Sequence, residues 1–130
     1  MSHFTTIKIA ITDKEGLITA LKNMGFEKIV TNKAIIRGYR GNKQQVDILV
    51  QLSGDYDFGF IKDKDSYQIV ADWWGIAIAH PEINQQNLIN NLNQQYTLEV
   101  TTRELKNKGF SISHEKMPDG SLRIIAKRIG

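Results

Sequence analysis

Residues 56–75 read YDFGFIKDKDSYQIVADWWG, and the pattern of this stretch predicts the centre of the fold. Apolar or aromatic side chains alternate with other residues on both sides of the charged run KDKD: these are Phe58, Phe60, Tyr67, Ile69 and Ala71. A period of two is typical of strands with one face on a core, and four consecutive charges suit a solvated turn. The stretch therefore predicts a β-hairpin whose second strand ends at the only two tryptophans of the chain, Trp73 and Trp74.

The residues before this hairpin predict further strands and one helix. Residues 3–11 carry isoleucine at alternate positions from Ile7 and predict a first strand. Thr12 to Glu15 matches a capping box, in which Thr12 accepts from the first-turn amides, and Gly25 lies where a left-handed residue ends a helix. Strands are also predicted over three later ranges, which are 29–30, 34–36 and 46–52.

The residues after the tryptophans predict a helical region and a final pair of strands. Pro81 favours a helix start. A second helix is predicted from Thr97 or a little later to Lys108, and Gly109 terminates it. Threonines at 97, 101 and 102 leave open whether this helix is separate from the preceding one. Strands are then predicted from Phe110 and over 122–126, around a turn at 117–120.

Together these elements predict a single α+β domain over residues 1–130. We expect an antiparallel sheet of six to eight strands with two or three helices packed on one face. A chain of 130 residues is long enough to form its own core. The content of 41% hydrophobic and 24% charged residues is close to the globular average, which disfavours extensive disorder.

Several classes of chemistry are disfavoured by what the sequence lacks. There is no cysteine, so thiol nucleophiles and thiolate metal sites are absent. No apolar run approaches the ~20 residues of a membrane span, and the first residues do not resemble a signal peptide. The histidines are not at a metal-ligand spacing, and no glycine-rich phosphate or dinucleotide motif occurs. We therefore predict no metal and no cofactor.

The strongest candidate binding residues lie in the run Arg37-Gly38-Tyr39-Arg40-Gly41. Two guanidiniums beside an aromatic ring can hold a phosphate or a carboxylate, and glycine lets a backbone approach closely. The alternative is a strand end with solvated arginines. By contrast, the acids Asp55 and Asp57 would share one face if they belong to a strand, but in a turn this spacing usually indicates solvated residues, which is the interpretation that we adopt.

Asp72, Trp73 and Trp74 form the second candidate cluster. We expect one tryptophan in the core and the other partly exposed, where it could contact a partner. Strand alternation directs Asp72 away from the face of Ile69, and we predict an ion pair between Asp72 and Arg37 or Arg40. The predicted binding residues are Arg37, Tyr39, Arg40, Asp72, Trp73 and Trp74.

The C-terminal part of the chain is basic. Residues 103–130 contain seven lysines and arginines against three acids, whereas the net charge of the whole chain is +3. Such a segment can bind an anionic partner such as nucleic acid. The alternative is an ordinary solvated surface.

Three stretches resemble one known family: MSHFTTI at 1–7, IRGYRG at 36–41 and VADWWG at 70–75. The chain is similar to the hypothetical chloroplast open reading frame thirty-five family of algal plastids and cyanobacteria, which is a domain of unknown function. This resemblance spans nearly the whole chain. It implies a location in the plastid stroma or the cyanobacterial cytoplasm, and it implies no catalytic residues.

Three functional hypotheses follow. The first is a non-catalytic binding or accessory protein that engages a protein partner. The second is a nucleic-acid-binding protein that uses the C-terminal basic segment with Arg37 and Arg40. The third is an enzyme with a site built from His3, Asp72 and an arginine. We favour the first, because the sequence carries no recognisable catalytic motif.

Overall fold

The computed structural model describes residues 4–38, 41, 43–54 and 56–129. Over these residues the chain forms nine strands and three helices. In chain order they are β1 (Thr5–Lys8), α1 (Lys14–Asn23), β2 (Ile29–Val30), β3 (Ala34–Arg37), β4 (Lys43–Val46), β5 (Ile48–Gln51), β6 (Asp57–Asp63), β7 (Ser66–Ala71), α2 (Trp73–Ala79), α3 (Gln85–Asn107), β8 (Phe110–Lys116) and β9 (Leu122–Arg128).

The main sheet has five antiparallel strands in the order β1-β7-β6-β5-β2. The predicted hairpin, β6 and β7, lies at its centre, with Phe58 opposite Ala71 and Phe60 opposite Ile69. The α+β class with an antiparallel sheet is thereby confirmed. The strands are distributed differently from the single sheet that we expected, because β3–β4 and β8–β9 form separate two-stranded sheets.

The helices cover one face of the main sheet, where the larger hydrophobic core lies. The core residues are Ile9, Ile11, Leu17, Ala20, Leu21, Ile48, Val50, Phe58, Phe60, Tyr67, Ile69, Ala71, Ile76, Leu88 and Leu92. The side chains predicted to alternate inward from the hairpin all belong to this core. Burial of this apolar surface supplies the main driving force for folding.

Helix α1 is held against α3 at its N-terminus. The hydroxyl oxygen of Tyr96 accepts from the backbone N–H groups of Thr12 and Asp13, at 3.2 and 3.0 Å. Asp13, and not the predicted Thr12, is the N-cap, because its carboxylate accepts from the Gly16 N–H at 2.8 Å. Arg103 of α3 donates to the same carboxylate at 2.9 Å and holds the pKa of Asp13 below its usual range.

The opposite face of the sheet is covered by the β3–β4 hairpin. A second core of Ala34, Ile36, Val46, Leu49 and Val70 lies between the two layers. The predicted strand at 46–52 is therefore interrupted at Asp47: Val46 lies in the second core, and Ile48 lies in the first. A sheet covered on both faces explains why Leu49 and Val70 are apolar although they alternate with inward residues.

Gly59 allows the two layers to approach closely. A Cβ at this position would lie 2.9 Å from the carbonyl oxygen of Ile48 and 3.0 Å from a methyl carbon of Val46. These distances are too short for ordinary contact, so only glycine fits without a shift of the neighbours. Gly59 therefore belongs to the packing between layers, in the middle of a strand.

The helices after the central hairpin differ from the predicted ones. The tryptophans do not end the second strand, because Asp72 caps a short helix, α2, that begins at Trp73. Pro81 lies between helices, and α3 begins after the cap residue Asn84. Helix α3 continues without a break through Thr97, since its side chains pack against both α1 and β8.

The C-terminal strands β8 and β9 form a hairpin that contacts α3. Gly25 and Gly109 follow α1 and α3 with φ angles of +97° and +90°, which confirms the predicted left-handed helix ends. Within the described parts of the chain, no helix is both long and apolar enough to cross a membrane.

We predict that Gly59→Ala lowers the free energy of unfolding by about 1–3 kcal/mol, because the added methyl group overpacks the contact between layers. Urea denaturation measures this change. The matched control is a double-mutant cycle with Val46→Ala: the double variant should lose less than the sum of the two single losses, because the shortened side chain makes room for the added methyl group. A neutral Gly59→Ala would contradict the close approach of the β3–β4 hairpin to the sheet.

Candidate functional site

The candidate site lies at the end of the central hairpin where β6 begins and β7 ends. Phe58 pairs with Ala71, so Asp57 and Asp72 each lie one residue beyond this pair, at the same end of the hairpin. Both carboxylates are buried, with 0% and 1% of their residue surface exposed. Buried carboxylates need hydrogen-bond or ion-pair partners, and those partners define the site.

Asp57 forms a bidentate ion pair with Arg37. The Nε and Nη2 atoms of Arg37 donate to Oδ2 and Oδ1 of Asp57, each at 2.9 Å. The backbone N–H groups of Arg37 and Leu52 also donate to this carboxylate, each at 3.3 Å. The guanidinium side chain is 43% exposed, so the pair connects a buried charge to the protein surface.

This ion pair joins the two layers of the fold. Arg37 is the last residue of β3 in the covering hairpin, and Asp57 is the first residue of β6 in the main sheet. Two parallel hydrogen bonds to a charged group fix orientation as well as distance. The interpretation of Asp57 as a solvated turn acid is therefore wrong.

One sequence signal could have identified Asp57. It directly precedes Phe58, the first buried position of a strand that we predicted, so its side chain had to lie at the rim of the core. A carboxylate at such a position needs a cation, and Arg37 directly follows the strand predicted over 34–36. The spacing of Asp55 and Asp57 alone gave no reason to expect that Asp57 is buried.

Asp72 acts as the N-cap of α2. Its Oδ1 atom accepts from the Gly75 N–H at 3.0 Å, which satisfies one of the free amide groups of the first helical turn. The predicted ion pair of Asp72 with an arginine stays a prediction. The guanidinium of Arg37 is bonded to Asp57, and Tyr39 and Arg40 lie outside the described residues.

Helix α2 is held in place along its inner side. Gly75 lies against the ring of Tyr56, where a larger residue would clash, and Ile76 is fully buried in the main core. At the end of the helix, the Nε2 atom of His80 lies 2.7 Å from the carbonyl oxygen of Ser53. The helix has only seven residues, so these contacts, more than its own propensity, fix its position.

The outer side of α2 presents a fixed apolar surface. Trp74 is 51% exposed and Ile78 is 61% exposed, and residues four apart lie on the same face of a helix. We call Trp74 and Ile78 the α2 patch. Trp73 packs partly against the main core, and its buried indole N–H has no hydrogen-bond partner among the described residues. The expected division between an inner and an outer tryptophan thus matches their positions.

Gly38 has a different role from the one we expected. A Cβ at Gly38 would lie 2.7 Å from the ring of Phe4, so glycine here makes room for a phenylalanine of the same protein. Phe4 packs against the second core. The structure therefore assigns the close approach at Gly38 to internal packing.

Comparison with known proteins identifies the family. A family model described as "Protein of unknown function (DUF1257)" matches residues 20–125. The chain belongs to this family. It is 30% identical to the "Uncharacterized protein ycf35" of Cyanophora paradoxa over 98% of both chains. The protein with the same description from Pyropia yezoensis is 29% identical over 98% of both chains. The one from Guillardia theta is 26% identical over 94% of this chain and 92% of its own length.

These relatives confirm the resemblance that the three sequence motifs indicated. No solved structure matches the chain. The family description names no activity, so the DUF1257 family adds no catalytic residue to those that the geometry brings together.

The other predicted site features are dispersed. In the basic segment, three of the seven cations form ion pairs: Arg103 with Asp13, Lys108 with Glu104, and Arg123 with Glu115. His3 lies outside the described residues. In the ranges that the structure describes, no group of three or more histidines and acids is close enough to hold a metal ion.

We predict that Asp72→Ala lowers the free energy of unfolding by about 0.5–2 kcal/mol, because α2 loses its cap. Asp72→Asn should cost less, since its side-chain oxygen still accepts from the Gly75 N–H. Hydrogen exchange of the α2 amides and urea denaturation measure both effects. The control is Asp13→Ala at the N-cap of α1, which should leave α2 exchange unchanged. Equal losses for Asp72→Asn and Asp72→Ala would favour the predicted arginine pair over the cap.

Proposed function

We propose that this member of the DUF1257 family is a non-catalytic binding protein that engages a protein partner through the α2 patch. The observation that carries this proposal is the exposure of Trp74 and Ile78 on a helix whose inner side is buried and hydrogen-bonded. Tryptophan is among the residues that contribute most to protein–protein binding. An exposed tryptophan beside an exposed isoleucine is a suitable centre for such an interface.

The rigidity of α2 supports the proposal. A surface that is already ordered loses little conformational entropy on binding, so more of the contact energy appears as affinity. Asp72, Tyr56 and His80 each constrain the helix at a different point. The Arg37 guanidinium, which is partly exposed at the same end of the hairpin, can add a polar contact at the rim.

We propose that Arg37, Tyr39, Arg40 and Trp73 belong to the binding surface together with Trp74. Asp72, which is buried, would support this surface by capping α2. We propose that the protein acts as a single domain over residues 1–130, in the plastid stroma or the cyanobacterial cytoplasm; the names of the relatives favour the plastid. The nucleic-acid hypothesis is less well supported, because three of the seven lysines and arginines in the C-terminal basic segment form ion pairs with acids. The enzyme hypothesis requires His3 and stays a prediction.

We predict that Trp74→Ala and Ile78→Asp weaken partner binding without unfolding the protein. Loss of a central tryptophan should cost about 2 kcal/mol or more, which is roughly a thirtyfold loss of affinity. The measurement is quantitative capture from an extract of cells that express the protein, with the captured partner then purified and titrated. Circular dichroism checks that both variants are folded.

The matched control is Ile129→Asp, which places the same charge at another exposed isoleucine. We expect this variant to bind as the unmodified protein does. Capture of the same proteins in equal amounts by all four forms would contradict the proposed role of the α2 patch. Absence of any captured protein would contradict the proposed function itself.

A further inference from the structure

A cleft lined by lysines lies at the opposite end of the central hairpin from α2. It has a volume of about 590 Å³ and is lined by Lys14, Lys33, Lys62, Lys64, Asp47 and Tyr67, with two polar residues of the loop before β3. Lys62 and Lys64 come from the end of β6 and its turn, Lys33 precedes β3, and Lys14 begins α1. We call this feature the lysine cleft. Three separate segments of the chain therefore bring four lysines to one cleft.

The lining of the lysine cleft, as far as the structure describes it, carries four lysines and one acid. No carboxylate among them forms an ion pair with Lys14, Lys33, Lys62 or Lys64. The one acid of the lining, Asp47, accepts from the backbone N–H of Lys62 at 2.8 Å. Lys62 also places its Nζ atom 6.0 Å from the ring centroid of Tyr67, which holds that ammonium group over the cleft wall.

The backbone gives an independent observation. Lys33 and Lys64 have φ angles of +38° and +58°, and they are the non-glycine residues with positive φ in the described chain. Left-handed backbone disfavours residues with a long side chain, and turns of this kind prefer glycine, asparagine or aspartate. Lysine is thus the structurally poorer residue at two positions, and both positions line the lysine cleft.

The disfavoured φ angles of Lys33 and Lys64 and the excess of lysines in the same cleft together indicate the kind of ligand that the cleft binds. Residues in a disfavoured backbone conformation are found most often at binding and active sites. Four ammonium groups against one carboxylate suit a compact ligand with several negative charges. Lysine contacts phosphate as a flexible point charge, whereas a planar carboxylate is better matched by the bidentate geometry of arginine.

We propose that the lysine cleft binds a small molecule that carries two or more linked phosphate groups. The cleft volume is in the range of small-molecule sites. The site lies at the Ser66 end of β7, whereas α2 follows the Ala71 end. A ligand here can therefore bind at the same time as a partner on the α2 patch, and the proposal does not depend on that partner.

Isothermal titration calorimetry with pyrophosphate, tripolyphosphate and sulfate tests the proposal, at ~50 mM salt where electrostatic attraction is only partly screened. We expect tripolyphosphate to bind more tightly than pyrophosphate, and sulfate to bind weakest. Lys33→Asn and Lys64→Asn should each weaken tripolyphosphate binding about tenfold. The midpoint of thermal unfolding should stay equal or rise in both variants, because asparagine tolerates positive φ.

Two further variants separate charge at the cleft from charge in general. Lys64→Arg keeps the positive charge and should keep binding. Lys127→Asn removes an exposed cation from the basic segment on β9 and should leave binding unchanged. Thus the proposal predicts that binding follows the charge at Lys33 and Lys64 and not the net charge of the protein.

Four results would overturn the proposal. They are the absence of heat with tripolyphosphate, equal binding of sulfate, an equal loss in Lys127→Asn, and a fall of the unfolding midpoint in both asparagine variants. A further titration, with a short single-stranded oligonucleotide, gives one more result that would overturn the proposal. If it binds through Lys33 and Lys64 more tightly than tripolyphosphate does, the cleft is a nucleic-acid site and the small-molecule proposal is wrong.

Discussion

The structure depends on the bidentate ion pair between Arg37 and Asp57. Asp57 is completely buried at the start of β6, and a buried carboxylate without a close cation would strongly destabilise the folded state. Its partner comes from the end of β3, in the hairpin that covers the sheet. Asp57 can therefore be buried only when the β3–β4 hairpin is in place over the sheet. The ion pair also fixes the register between these two layers.

The packing of the β3–β4 hairpin on the main sheet also determines which surfaces of the protein stay exposed. Helices cover one face, and the β3–β4 hairpin covers the other, with Gly59 allowing close contact. Both faces of the central strands are thus occupied by the protein itself. The two features that we propose as binding sites lie instead at the two ends of the hairpin, with the α2 patch at one end and the lysine cleft at the other.

Local patterns in the sequence were sufficient to predict the elements with one inward face. Alternation identified β6 and β7, and glycine after a helix identified the left-handed residues Gly25 and Gly109. The features that were missed depend on contacts between distant residues. In the sequence Asp57 cannot be distinguished from Asp55, and only its contact with Arg37 in the folded protein shows its role. Likewise, Asp72 follows a strand in the sequence, and the seven-residue helix that it caps depends on contacts with Tyr56 and His80. Alternation also continues across Asp47, where the chain passes from one sheet to another.

A double-mutant cycle between Arg37 and Asp57 tests the account most directly. Arg37→Ala, Asp57→Ala and the double variant are compared in urea denaturation, with the exposed pair Arg123 and Glu115 as a matched control cycle. We predict a coupling free energy of about 1.5–3 kcal/mol for the buried pair, and about 0–1 kcal/mol for the exposed pair. A coupling no larger than that of the control would contradict the claim that this ion pair holds the two layers together.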